Sequence, residues 1–119
     1  MVKMLKQALL FDIYGELLTE HQKSIYEDFV LNDYSLSEIG EDRNISRQGV
    51  YDIIKRCDKL LNGYEEKLHL AQKFLMAKEQ VAHIHQLASE MLNSGGDPEK
   101  ATEYLRQIEN ISNGILEEM

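Results

Sequence analysis

Ser35-Leu36-Ser37-Glu38-Ile39-Gly40-Glu41-Asp42-Arg43-Asn44-Ile45-Ser46-Arg47-Gln48-Gly49-Val50-Tyr51-Asp52-Ile53-Ile54 decides the architecture of this 119-residue chain. Ser35 stands three residues before Glu38, the spacing at which a capping hydroxyl and a returning carboxylate satisfy each other's orphan backbone amides. A short helix therefore opens after Ser35, carrying Leu36, Ile39 and Gly40 through about two turns. Arg43-Asn44 closes it, and asparagine tolerates the left-handed conformation that a tight helix-to-helix turn demands. Ser46 then caps a longer helix with Val50, Ile53, Ile54, Leu60 and Leu61 on one side. Short helix, tight turn and longer helix make a helix-turn-helix.

Toward the N-terminus the same logic continues. Thr19 and Gln22 repeat the capping-box spacing, so a helix is expected from about Glu20 to Val30, followed by the polar turn Asn32-Asp33. An opening helix, ending near Leu18, presents Met4, Leu5, Ala8, Leu9, Phe11, Ile13 and Leu17 as a broad apolar face. Toward the C-terminus, Asn62-Gly63 is either a helix cap or a soft point inside a longer helix. Helical rhythm runs on from Tyr64 to Leu92. Ser94-Gly95-Gly96-Asp97-Pro98 ends it, with Asp97 as N-cap and Pro98 at the first position of a last helix bearing Ala101, Tyr104, Leu105, Ile108, Ile111, Ile115 and Leu116. With one proline and no long alternating β-branched run, the chain reads as all-α. The expected division is a helix-turn-helix domain over 1–61 and a helical hairpin over 62–119. The hairpin must bury its stripe against the first half or a second chain. It is long for a monomer of this size, so a homodimer is expected, with Leu68, Phe74, Leu75, Ile84 and Leu87 near the seam.

Composition bounds the function. Hydrophobic residues at 43% and charged residues at 29% suit one foldable domain, or a small domain with an extension. Thirteen Lys and Arg against twenty-one Asp and Glu leave a net charge of -8, which opposes coating of nucleic acid or anionic membrane by the whole surface. The acidity is uneven. Residues 1–45 hold four basic and nine acidic side chains and residues 62–119 five and ten, whereas 46–61 hold four and two. The one net-positive segment is thus the second helix of the helix-turn-helix. Arg47, Gln48 and Tyr51 lie at its N-terminal end, where such a helix reaches base edges in the major groove. Lys55, Arg56 and Lys59 follow at spacings suited to phosphate contact, and Ser46 and Arg47 sit where a helix N-terminus favours an anion. The plainer alternative is a solvated helix face of mixed charge.

These residues carry a resemblance. The stretch from Thr19-Glu20-His21-Gln22 through Asp33-Tyr34-Ser35-Leu36-Ser37-Glu38-Ile39-Gly40, then Ile45-Ser46-Arg47-Gln48-Gly49-Val50-Tyr51-Asp52-Ile53-Ile54-Lys55-Arg56, resembles the region-four helix-turn-helix of bacterial sigma factors. It is more closely similar to the YlxM family, through Leu10-Phe11-Asp12-Ile13-Tyr14, Leu17-Leu18-Thr19, Tyr34-Ser35-Leu36 and Tyr64-Glu65-Glu66-Lys67-Leu68. The resemblance covers about Leu9 to Leu75. It implies a small all-helical cytoplasmic protein of Gram-positive-type bacteria, with a regulatory part in co-translational targeting, because the family's genes tend to lie beside those of the signal recognition particle GTPase and its receptor. Three positions depart from the usual motif. Gly40 and Gly49 stand where alanine is common, and Arg43 stands where an apolar plug is usual; its stem is expected to cross apolar surface with the head in water.

The remaining features read more plainly. Glu79, His83 and His85 do not make a metal site, because His83 and His85 point about 200° apart on one helix and no second motif supplies ligands. Cys57, the single cysteine, fits a reducing compartment; Arg56 beside it would lower its pKa, but the reading preferred for it is a half-buried structural thiol. The apolar start of the chain is interrupted by Asp12 and Glu16, unlike a signal peptide, and no run is long enough to span a bilayer, so a cytoplasmic setting is expected. No phosphate loop or nucleophile-base-acid set occurs, Glu16 and Glu20 read as helix-end charges, and a non-enzyme without cofactor is expected. Two functions follow. One is a regulator that binds DNA or RNA through Ser46, Arg47, Gln48, Tyr51, Lys55, Arg56 and Lys59. The other is a module that docks on the targeting GTPase, its receptor or its ribonucleoprotein, since acidic flanks meet basic protein surfaces. A sigma-mimic or anti-sigma role uses the same fold.

Overall fold

The computed structural model describes residues 2–119. Among them are six α-helices: α1 Lys3–Tyr14, α2 Glu20–Val30, α3 Leu36–Arg43, α4 Arg47–Leu68, α5 Leu70–Asn93 and α6 Pro98–Glu118, with a 3-10 turn at Gly15–Leu17. The chain is all-α, a helix-turn-helix followed by a long helical hairpin. No helix among the described residues is long and apolar enough to cross a membrane.

Local chemistry sets the helix starts. Thr19 accepts from the Gln22 amide at 3.2 Å while the Gln22 side chain accepts from the Thr19 amide at 3.1 Å. Ser35 and Glu38 repeat that exchange, at 3.1 Å in both directions. Each such cap contributes about 1 kcal/mol. Asp97 caps α6 with Pro98 at its first turn, and Gly95 and Gly96 both adopt positive φ in the connection before it.

The core of the first compact unit, Met1–Ala71, gathers Leu10, Phe11, Tyr14 and Leu18, then Ile25, Tyr26 and Ile39, onto one stripe of α4 formed by Val50, Ile54, Cys57 and Leu61. Here the sequence reading needs correction. The buried face of α1 is Leu10, Phe11 and Tyr14, whereas Met4, Leu5 and Leu17 are exposed. A helix apolar on most sides does not announce which side the core will take. The helix also ends at Tyr14 in a 3-10 turn instead of continuing to Leu18. Arg43 differs as well: its head is not in water but donates to Ser24 Oγ at 2.6 Å and Asp28 Oδ2 at 2.7 Å. That pairing holds the Asp28 carboxyl below its usual range. It ties the end of α3 to α2 where the usual motif would pack an apolar plug.

Of the two alternatives at Asn62-Gly63, the structure takes the continuous helix. α4 passes straight through Asn62-Gly63, and the compact units are Met1–Ala71 and Gln72–Met119. The reason is polar as well as apolar. Tyr14 Oη donates to Glu65 Oε1 at 2.7 Å, the Ala71 amide donates to the same carboxylate oxygen at 2.9 Å, and the Leu70 amide donates to Tyr14 Oη at 3.2 Å. The start of α5 is therefore stitched to α1 and α4. The break itself is His69, at φ 57, inside a stretch whose periodicity reads as one continuous helix.

In the second unit, Gln72–Met119, Leu87 is only 5% exposed. It is already buried within the single chain, so of the five expected seam residues it is not free to cover a partner. Leu68, Phe74 and Leu75 are exposed and Ile84 is half-buried.

Gly40 offers the sharpest test of the fold. A Cβ there would stand 2.5 Å from the Ile45 carbonyl oxygen, which is backbone and cannot step aside. Gly40→Ala is expected to lower stability by about 1–3 kcal/mol in urea unfolding. Gly63→Ala, where a Cβ meets nothing within 4 Å inside α4, is expected to be neutral or to stabilise by up to about 1 kcal/mol.

Candidate nucleic-acid interface

α3 and α4 are joined by Asn44, Ile45 and Ser46. Asn44 takes the left-handed conformation, φ 58 and ψ 44, and its amide donates to the Gly40 carbonyl. The Ile45 amide donates to that same carbonyl at 2.9 Å. Ser46 Oγ then accepts from the Gly49 amide at 3.0 Å and caps α4. Gly49 is fitted here too: a Cβ would lie 2.9 Å from Ile45 Cγ2. Both glycine departures from the usual motif thus answer to close approach around one turn.

With the stripe Val50, Ile54, Cys57, Leu61 facing the core, the opposite side of α4 faces outward. Ser46, Arg47, Gln48, Tyr51, Lys55, Arg56 and Lys59 are all exposed. The structure brings Tyr51 and Lys55 together, with the Lys55 ammonium 5.4 Å from the Tyr51 ring centroid, an i,i+4 cation–π contact. Among the described residues, none of the four cations Arg47, Lys55, Arg56 and Lys59 forms a salt bridge.

One residue on this face has an opposing role and was passed over in the sequence reading. Asp52 lies one turn after Gln48, is exposed, and accepts from Gln48 Nε2 at 3.0 Å. A Gln48 amide that reads a base must first leave that carboxylate. Asp52 was visible in sequence as an i+4 partner of Gln48, but counting charge by segment hid its position. The acidic side chains Glu38, Glu41 and Asp42 of α3 are also exposed beside the motif.

Beneath the face, Asp58 fixes the roll of α4. It accepts from Tyr26 Oη at 2.6 Å and from Gln7 Nε2 at 3.0 Å. Burial, reinforced by the Asp58 hydrogen bond, pushes the Tyr26 hydroxyl well above its usual pKa. The phenol therefore stays protonated and remains a donor. Cys57, adjacent, is fully buried, and burial lifts its thiol to about 11 with Asp58 adding to the rise and Arg56 opposing it. Arg56 therefore does not activate it. Among the described residues, no group of three or more His, Cys, Asp or Glu side chains could hold a metal ion.

Residues 1–97 match the family UPF0122, described as "Putative helix-turn-helix protein, YlxM / p13 like". A UPF0122 protein of Clostridium novyi is 41% identical over 113 residues, covering 95% of each chain. One from Staphylococcus epidermidis is 42% identical over 111 residues, covering 93% of this chain and 94% of its own. Another, from Acetivibrio thermocellus, is 52% identical over 84 residues, covering 71% and 72%. The chain belongs to this family of bacterial helix-turn-helix proteins.

The thiol provides a check on the packing under the interface. At about pH 8, native Cys57 is expected to react with an aromatic disulfide reagent no faster than the chain opens, and within seconds once denatured. Native reactivity equal to that of free cysteine would mean that the α4 stripe is not closed.

Proposed function

We propose that this member of the YlxM/p13-like family is a cytoplasmic helix-turn-helix regulator that lays the N-terminal half of α4 against DNA or RNA. Its setting is the signal recognition particle pathway, to which the family resemblance points. The observation that carries the reading is the outward face of α4, where Arg47, Lys55, Arg56 and Lys59 stand exposed and without salt bridges among the described residues. Arg47, Gln48 and Tyr51 serve as groove readers, while Lys55, Arg56 and Lys59 neutralise phosphates. Ser46 belongs to the anion-accepting helix start. Asp52 limits affinity, because its carboxylate sits among the cations that would meet phosphate.

A second reading is favoured by that same Asp52 together with Glu38, Glu41 and Asp42, which give the motif a mixed rather than basic surface. In it, the face docks on the targeting GTPase, its receptor or the ribonucleoprotein without reading nucleic acid. In either case we infer a homodimer seated on Leu68, Phe74 and Leu75, side chains a solitary chain leaves in water.

Fluorescence anisotropy with duplex DNA and hairpin RNA at several salt concentrations separates the readings. For duplex DNA the log–log salt slope is expected near about -3 to -4, with Lys55→Ala and Lys59→Ala each reducing its magnitude by about one. Arg47→Ala is expected to weaken binding about tenfold. Absence of binding to either nucleic acid, with retention of the purified targeting GTPase, supports docking instead. Sedimentation velocity at tens of micromolar should return twice the monomer mass, and Phe74→Asp should return the monomer.

A further inference from the structure

We propose that the groove between α1 and α2 is a docking site for a basic amphipathic helix of a partner protein, apolar side chains down and cations against an acidic rim. This site is separate from whatever α4 binds.

The groove has a volume of about 340 Å³. Ala8, Phe11 and Leu31 give it an apolar lining, and Gly15 lets the Phe11 ring lie 3.0 Å from where a Cβ would stand. Asp12, Glu16 and Glu27 supply its acidic side chains, against Lys23 as the lining cation. Lys23 is bound to Glu16. That hydrogen bond foremost, with the charges of Glu16, Glu20 and Glu27, holds the ammonium above its usual pKa. The lining therefore carries a surplus of negative charge even with Lys23 counted.

The apolar surface extends beyond the groove. Leu31, at the end of α2, is 51% exposed, and Met4 and Leu5, about one turn before Ala8 on the same face of α1, are 51% and 63% exposed. Met4 and Leu5 are side chains that the sequence assigns to a core-facing stripe and that the core does not use. From Leu5 to Tyr14, where α1 ends, the groove edge runs about 14 Å, more than two helical turns. That accommodates anchors at i, i+3 or i+4, and i+7 of a docked helix.

Charge selects the occupant. Nucleic acid and anionic lipid are repelled by the rim. A second copy fits poorly: the amphipathic helices α5 and α6 belong to a segment with five basic and ten acidic residues, and the basic face of α4 carries Tyr51 but no apolar stripe. A helix with leucines on one side and lysines or arginines flanking them satisfies both floor and rim.

The test uses the full chain and a labelled synthetic 16-residue Leu/Lys helix, about 24 Å long when helical, followed by fluorescence anisotropy. The comparison peptide has the same composition in an order that destroys the apolar face. Binding to the amphipathic peptide is expected to be at least about tenfold tighter than to the scramble. Leu5→Ser with Leu31→Ser should weaken it about tenfold, and Asp12→Asn with Glu27→Gln about threefold, while Lys55→Ala leaves it unchanged. All five substituted positions are exposed, and circular dichroism verifies folding. Equal affinity for both peptides, no binding, or indifference to the groove variants overturns the proposal. So does a change in sedimentation of the unliganded chain on Leu5→Ser with Leu31→Ser, which would make a second copy the occupant. Nucleic-acid binding through α4 can fail or succeed without altering any of these outcomes.

Discussion

The structure hinges on how closely a backbone turn approaches one helix. Ile45 passes over α3 at Gly40, with its carbonyl oxygen 2.5 Å from where a Cβ would be, and its amide donates to the Gly40 carbonyl. No side chain can occupy that space. Because Asn44 reverses the chain directly before it, the contact determines where α4 begins and in which direction it leaves. Every outward residue of α4 inherits its position from that start. A glycine in an eight-residue helix costs helix propensity, about 1 kcal/mol relative to alanine, and the cost is offset by the closer approach of the turn that it allows.

A start and a direction still leave the roll of α4 about its own axis, and hydrophobic packing alone tolerates some rotation. Two phenol-to-carboxylate contacts remove it. Tyr26 holds Asp58 from α2, and Tyr14 holds Glu65 from α1, two turns further along the same helix. Both phenols are pushed up in pKa, chiefly by burial, so both remain protonated donors. A charge-assisted hydrogen bond of this kind contributes about 1.5–3 kcal/mol when its partners are shielded. The Asp58 and Glu65 anchors lie on the core side of α4, and the cations lie on the other. The outward display is thus a consequence of inward pins.

How much of this the sequence discloses depends on the range of the interaction. The caps at Thr19, Ser35, Ser46 and Asp97, and the left-handed Asn44, are legible because each involves residues within a few positions of one another. The outward side of α4 is legible in the same way, since the seven residues chosen by spacing are all exposed. What is not legible comes from afar. His69 breaks a periodic stretch because Tyr14, more than fifty positions earlier, receives the next amide. Arg43 reads as a misplaced plug until Ser24 and Asp28 are seen beside it. The buried side of α1 cannot be chosen from a helix that is apolar nearly all round.

The same distinction changes the meaning of the net charge of -8. Taken over the chain, it opposes polyanions; taken by segment, it leaves one positive helix. Taken by surface, it divides further. Asp28 is half-buried and paired with Arg43, so it contributes little to the outer field, whereas Asp58 keeps its charge but turns it inward on the buried Tyr26 hydroxyl. Asp52 on α4 and Glu38, Glu41 and Asp42 on α3 remain exposed. A nucleic-acid reader would gain from losing Asp52, whereas a protein-docking face needs both signs to set register against its partner. Whether Asp52→Asn tightens nucleic-acid binding or abolishes a protein contact therefore depends on which of the two charges the partner meets, and the Gln48–Asp52 hydrogen bond is the point at which the two functions diverge.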